Sequence, residues 1–220
     1  MELAATLDSA GIEARLGPGG VGTIRIPLLG FRTPTVVENE IERMLAEGLA
    51  ALVIDLRGNR GGDLDAALRL ADDFVPAGSL LCTLRGADGD PVPRIARRTV
   101  RYDMPLVVLI DGTTASAAEV LAGVLQSSGR AVLVGSSTWG KGCVQRLVPV
   151  AGGDGVTMTD CGEIELPGGA RIHGRGLEPD VPVSSMRTEQ ELAGSLRAHL
   201  GDDPVVSALA TAVAGVWVAG

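Results

Sequence analysis

Aromatic residues are almost missing from this 220-residue chain, which has two Phe, two Trp and one Tyr. Yet 45% of its residues are hydrophobic, so a core must be assembled from Val, Leu, Ile and Ala. Basic clusters are missing as well. Nineteen Lys and Arg against 27 Asp and Glu give a formal charge of −8, and the arginines are scattered. Nucleic acids and anionic membrane surfaces both demand clustered cations, so neither partner class fits. The pair Arg97-Arg98 reads as part of a solvated loop. Cys82, Cys143 and Cys161 form no CxxC, and His173 and His199 are the only histidines, so no zinc ligand set is present. The cysteines read as small buried apolar residues, with Cys143 reactive if exposed. No apolar run approaches the ~18 residues of a membrane span. Met1 to Arg15 lacks the basic start and apolar centre of a signal peptide. As written, the chain is expected in the cytoplasm, or outside it if it is a piece of a longer exported protein.

What is present is an alternation of short apolar runs with helical periodicity, which predicts one α/β domain built on a largely parallel sheet. Val21 to Pro27 reads as a strand. Thr35 and Glu38 form a capping-box pattern ahead of a helix with Val37, Ile41, Met44, Leu45 and Leu49 on one face. Ala50 to Leu56 and Leu106 to Ile110 read as buried parallel strands. Leu64, Leu68, Ala71 and Phe74 mark a second helix, Leu80 to Leu84 a further strand, and Arg85 to Arg101 a polar connection. Ser116 to Leu125 reads as a helix, followed by strands at Ala131 to Val134 and Val144 to Val150. Glycines from Gly152 to Gly176 predict hairpins. Thr188 to Leu200, opened by a Thr188/Glu191 capping box, and Pro204 to Val213 complete the set as helices.

Two segments carry the chemistry. Asp111 to Glu119 is a strand–glycine turn–helix elbow that sets Ser116 near a helix N-terminus, at the carboxyl end of a parallel strand. Ligands bind at such ends in open α/β sheets, and free amides with the helix dipole favour negative charge there. Ser116 can also be read simply as a helix cap. Twenty-five residues on, the chain's lone lysine sits in Gly140-Lys141-Gly142 with Gln145 just beyond. A lysine acts as a general base only when neutral, which requires its reference pKa of ~10.4 to fall. Its flank from Ser136 to Gln145 holds no acid; Trp139 offers an apolar wall and Gln145 a carboxamide to orient the amine. A P-loop is disfavoured because Gly142 stands where Ser or Thr is required. A triad through His173 is the weaker alternative to a Ser116–Lys141 pair. Third comes Asp55-Leu56-Arg57-Gly58-Asn59-Arg60-Gly61-Gly62, a glycine-rich turn whose amides, with that of Ala117, can form an oxyanion hole. Arg57 and Asn59 read as braces of that loop.

These elements, in this order, resemble the C-terminal processing peptidases, or tail-specific proteases, from about Val21 to Val183. The carrying segments are VIDLRGNRGGDLDAALRLADDFVPAG, PLVVLIDGTTASAAEVLAGVLQSSGRAVLVG, TWGKGCVQRLVPV and GGARIHGRGLEPDVPV. The resemblance implies a ClpP/crotonase-like core with a hairpin-rich C-terminal part, and a serine endopeptidase without metal or cofactor. By position, Ser116 becomes the nucleophile, Lys141 its base, Gln145 the residue positioning Lys141, and Ala117 with Gly62 or Gly61 the oxyanion donors. Substrates implied are proteins cut near their carboxyl termini.

The elbow reads TASAAE where the family usually shows SASASE, and Ser127 stands where it often has aspartate. The family also usually carries a PDZ-like capture domain, which the 20 residues before Val21 cannot form. The expected organisation is therefore a lead-in over 1–20, a catalytic core over 21–185 and helices over 186–220 packed on that core. Two other functions share such a scaffold: a catalytically inactive ligand- or peptide-binding module, and an acyl-CoA enzyme, against which the lysine loop argues.

Overall fold

In the computed structural model of the chain, the described residues are 11–86, 90–149, 156–183 and 188–218, without the side chains of 144–149, 156–161 and 218. The side chains of Cys161 and Gln145 thus lie outside what is described. Among those described, a six-stranded sheet runs in the order β1-β2-β3-β6-β7-β10, and a four-stranded one in the order β5-β4-β9-β8. The large sheet comprises β1 (Glu13–Leu16), β2 (Val21–Arg25), β3 (Ala51–Asp55), β6 (Leu106–Ile110), β7 (Val132–Gly135) and β10 (Val181–Pro182). From β2 to β10 every pairing is parallel; only the edge strand β1 is antiparallel, to β2. The small sheet, β4 (Leu80–Arg85), β5 (Val92–Ile95), β8 (Cys143–Pro149) and β9 (Val156–Glu165), is wholly antiparallel.

The unbroken apolar runs have a direct cause: both faces of the parallel sheet are covered. Side chains alternate across it with period two. Ile24, Leu52, Ile54, Val108, Ile110 and Leu133 join one core, under helices α1 (Thr33–Ala46), α2 (Leu64–Asp72) and α3 (Ala117–Ser127). Val21, Val53, Val107, Leu109, Val132 and Val134 join the other, under α4 (Glu189–Leu200) and α5 (Val205–Val218). Arg57 fastens that second layer: it chelates Asp55 at 2.9 and 2.8 Å, donates to the Val216 carbonyl at 3.0 Å and lies over the Trp217 ring.

Four expectations need correction. Helix α1 starts at Thr33, not Thr35, because Pro34 is preset for the first turn and the Thr33 hydroxyl ties back to Gly30 and Leu28. Glu38 is therefore no cap partner; it meets Arg69, Arg98 and Arg101. Leu45 is exposed on that helix rather than on its apolar face. The polar connection after β4 contains β5, whose Pro93 is tolerated because the strand is an edge. Arg98 is not merely solvated: its side chain, 37% exposed, is paired at 2.8 Å with Asp73, a carboxylate with no exposed surface.

Burial pushes the Asp73 carboxyl up to about 6, even with Arg98 beside it. A raised folded pKa means the fold holds this proton more tightly than the unfolded chain does. The stability it contributes is complete below about 4 and is lost as pH rises to about 6. Asp73→Asn should therefore gain on the wild type by on the order of 1–3 kcal/mol between pH 4 and 6, and no further above it. Urea melts of both proteins across that range check this; a difference independent of pH would count against it.

Candidate active site

Three neighbouring parallel strands, β3, β6 and β7, end side by side, and the loops leaving them carry all three predicted motifs. That adjacency brings residues 61, 116 and 141 to one edge of the sheet. The loop after β3 is held from within by Asn59, whose side chain donates to the Ile26 carbonyl at 2.8 Å and accepts from the Gly61 amide at 2.8 Å. It is stitched to the elbow by Ala115 N–H donating to the Asn59 carbonyl and by the Thr114 hydroxyl donating to the Leu56 carbonyl, both at 2.9 Å. Asp111 fixes the elbow from below. Burial would raise its carboxyl, but hydrogen bonds from Thr113, Gly58 and Thr114 outweigh that and hold it below the usual range.

Ser116 stands at φ 58°, ψ −126°, the one non-glycine residue with positive φ among those described. A helix-capping serine adopts extended backbone, so capping alone does not explain this conformation. The strain holds the serine at the head of α3, lining a cleft of about 620 Å³ with Lys141, Gly62, Ala117 and Cys143. Leu84 and Ile164 of the small sheet close its far wall.

The glycines next to this serine have spatial reasons. A Cβ on Gly61 would lie 2.7 Å from the Ser116 Cβ, and one on Gly62 2.0 Å from the Leu29 carbonyl oxygen. Both have positive φ. Of the two amides, that of Gly61 is already donated to Asn59, whereas those of Gly62 and Ala117 have no hydrogen-bond partner among the described residues. Gly61 therefore shapes the loop, and Gly62 presents the free N–H.

Glu119 was read in the sequence only as the end of the elbow. Its carboxylate is wholly buried and accepts four hydrogen bonds: from Ser116 N–H at 2.8 Å, Gly140 N–H at 2.7 Å, Lys141 N–H at 2.8 Å and the Thr138 hydroxyl. One side chain thus ties the backbone of the serine to that of the lysine. Trp139 N–H adds a bond to the Thr114 carbonyl at 3.0 Å. The Ser116-x-x-Glu119 spacing, a capping-box signature, was the available signal. Among the described residues no carboxylate pairs with the Lys141 amine, in keeping with the acid-free flank. Gln145 lies on β8 opposite Asp160, just past a bulge. His173 is exposed and lines neither this cleft nor the smaller cavity beside it, so the alternative triad finds no support. Cys143 is half-buried at the cleft wall, while Cys82 is buried, which pushes its thiol up to about 11.

Residues 20–183 match the family model described as peptidase family S41. The chain is 32% identical over 194 residues to a chloroplastic C-terminal processing peptidase of Tetradesmus obliquus, covering 86% of this chain and 41% of that protein. It is 35% identical over 167 residues to a carboxyl-terminal-processing protease of Synechocystis, covering 76% and 39%. Among solved structures, a photosystem II D1 C-terminal processing protease superposes with a TM-score of 0.65 at 32% identity, covering 86% of this chain and 49% of that one. The chain thus spans about two fifths of the length of these curated relatives. Among the described residues no helix is long and apolar enough to cross a membrane.

The four bonds on Glu119 make a sharp expectation. Glu119→Gln turns an acceptor toward backbone donors into a donor, leaving buried N–H groups unsatisfied at roughly 1–3 kcal/mol each. The variant should lose on the order of 2–4 kcal/mol of stability, read by denaturant melts. A melt superimposable on the wild type would refute the tying role.

Proposed function

The chain belongs to peptidase family S41, and from that premise we propose that it is a serine endopeptidase working with a Ser116–Lys141 dyad on loosely structured protein tails. The observation that carries this reading is the strained Ser116, sharing one cleft with Lys141 and the unpaired amides of Gly62 and Ala117. The names of the relatives, C-terminal processing peptidases, support cleavage near carboxyl termini.

The neutral Lys141 amine takes the Ser116 hydroxyl proton as the oxygen attacks the scissile carbonyl. Charge then develops on the carbonyl oxygen, where the Gly62 and Ala117 amides and the N-terminal end of α3 meet it. Each such donor is worth on the order of 3 kcal/mol in the transition state. The protonated Lys141 gives its proton to the departing amine. Water, deprotonated by the same amine, releases the acyl group from Ser116. Gln145 is assigned to orient Lys141. The scheme uses no metal or cofactor.

Ser116→Ala and Lys141→Ala should each lower cleavage of an unfolded protein by roughly 10⁴-fold or more while leaving the circular dichroism spectrum unchanged. Fragment analysis by mass spectrometry reads this, and full activity in Lys141→Ala would end the dyad. Because the base must be unprotonated, kcat/KM should climb with pH until the amine is neutral and then level off. A profile flat from mildly acid to alkaline pH would speak for a different base.

A further inference from the structure

The cleft of Ser116 continues in two directions. On one side Arg60 and Lys141 line both the cleft and the smaller cavity beside it. On the other, Asp65 and Arg94 line both the cleft and a groove of about 500 Å³ between α2 and β5. The groove and the smaller cavity share no residue. Asp65 lies in the first turn of α2 and Arg94 on β5, and their ion pair ties the two walls of the groove together where it meets the cleft. Lys141 protonates the departing amine in the scheme above, so the leaving part of a substrate lies toward Lys141. The acyl part then runs the other way, toward Asp65 and Arg94.

Four consecutive residues, Val92, Pro93, Arg94 and Ile95, line the groove. Side chains of a strand alternate between its faces, so the groove follows the edge of β5 and not one face. β5 ends the small sheet, and no strand among the described residues pairs with its outer side. Such an edge accepts an extended peptide. Pro93 removes one donor from it, which hinders the continuous ladder that a second copy of the strand would need. Val92 is 54% exposed and Ile95 41%, beside buried Leu68 and Leu81. Most charged side chains of the groove are engaged: Asp65 with Arg94, Arg69 with Glu38, and Asp72 with the Arg97 and Arg98 amides at 2.9 and 3.1 Å. What the groove offers a ligand is therefore a strand edge carrying exposed apolar side chains, the kind of surface that marks a binding groove.

We propose, resting on the peptidase reading, that this groove holds the substrate residues upstream of the scissile bond. They lie extended along β5, and Val92 and Ile95 select apolar side chains among them. At about 500 Å³ the groove falls within the usual range of roughly 300–1,000 Å³ for ligand pockets. Val92 and Ile95 are specificity residues in this scheme and touch none of the reacting atoms.

The test uses an unstructured peptide in which Leu and Val, or in their place Ser and Thr, alternate with Gln through the N-terminal half. The C-terminal half is common to both. For the wild type, kcat/KM for the apolar form should exceed that for the polar form by roughly tenfold to a hundredfold, as expected from burying one apolar side chain. Val92→Asp should bring that ratio close to one. Ile95→Asp repeats the measurement from the other end of the strand, so a folding defect in one variant does not decide the outcome. Val100→Asp, at another exposed valine outside the groove, should keep the ratio. Equal cleavage of both peptides by the wild type, or a ratio intact in both groove variants, overturns the proposal. So does a preference seen only when the apolar residues are moved to the C-terminal half. A fall in mass by light scattering on Val92→Asp assigns the edge to a second copy of the chain and equally overturns it. Affinities of the two peptides for Ser116→Ala, measured by calorimetry, separate the groove from the peptidase reading. An apolar preference in binding that Val92→Asp erases upholds the groove even where no peptide is cut. Cleavage without that preference leaves the peptidase and removes the groove.

Discussion

The buried carboxylate of Glu119 is the interaction on which the site depends. Loops leaving β6 and β7 could approach each other in many ways, because both are rich in glycine and small residues. Four donors converging on one side chain leave a single arrangement, in which the serine backbone and the lysine backbone are held by the same two oxygens. A buried acceptor with every donor satisfied rigidifies its surroundings, and the same group half-satisfied would destabilise them. The carboxylate acts on the Lys141 main chain, while the amine has no carboxylate partner among the described residues. Positioning and charge are thereby kept separate.

Beneath this hub lies the parallel part of the six-stranded sheet. With both faces of the sheet packed, β3, β6 and β7 are clamped in register, and the edge where they end can carry strained and unpaired groups without yielding. Arg57 extends the clamp to the second helical layer through Trp217 and the Val216 carbonyl, so the loop presenting Gly62 is tied to both sides of the sheet. The small antiparallel sheet contributes the far wall of the cleft. The loops carrying Gly62, Ser116 and Lys141 thus come from the parallel sheet, while the opposite wall comes from strands with a different partner set.

Much of this was legible in the residues. Parallel strands such as Ala51–Asp55 and Leu106–Ile110 announce themselves because full burial leaves no polar alternation, and the elbow and the Gly140-Lys141-Gly142 loop stand at their ends. Errors arose where a local pattern met a tertiary competitor. The Thr35/Glu38 capping pattern was overridden by Pro34 and by three arginines distant in sequence. The edge strand at Val92–Ile95 was hidden by prolines that only an edge tolerates, and β1 by alternating exposed residues. Glu119 was visible as a spacing, but its reach to Gly140 and Lys141 depends on β6 and β7 being neighbours, which no local pattern states. Nor could the choice between Gly61 and Gly62 be made before Asn59 was seen to occupy one amide.

The positive φ of Ser116 has an evolutionary consequence. Glycine is the residue that rests most comfortably in that conformation, so Ser116→Gly relaxes the backbone that the serine strains. On the proposed reading, the single step that removes the hydroxyl is thereby also one that relieves the fold. Stability alone would not sustain a serine in this conformation, so its presence marks a position held against the preference of the fold.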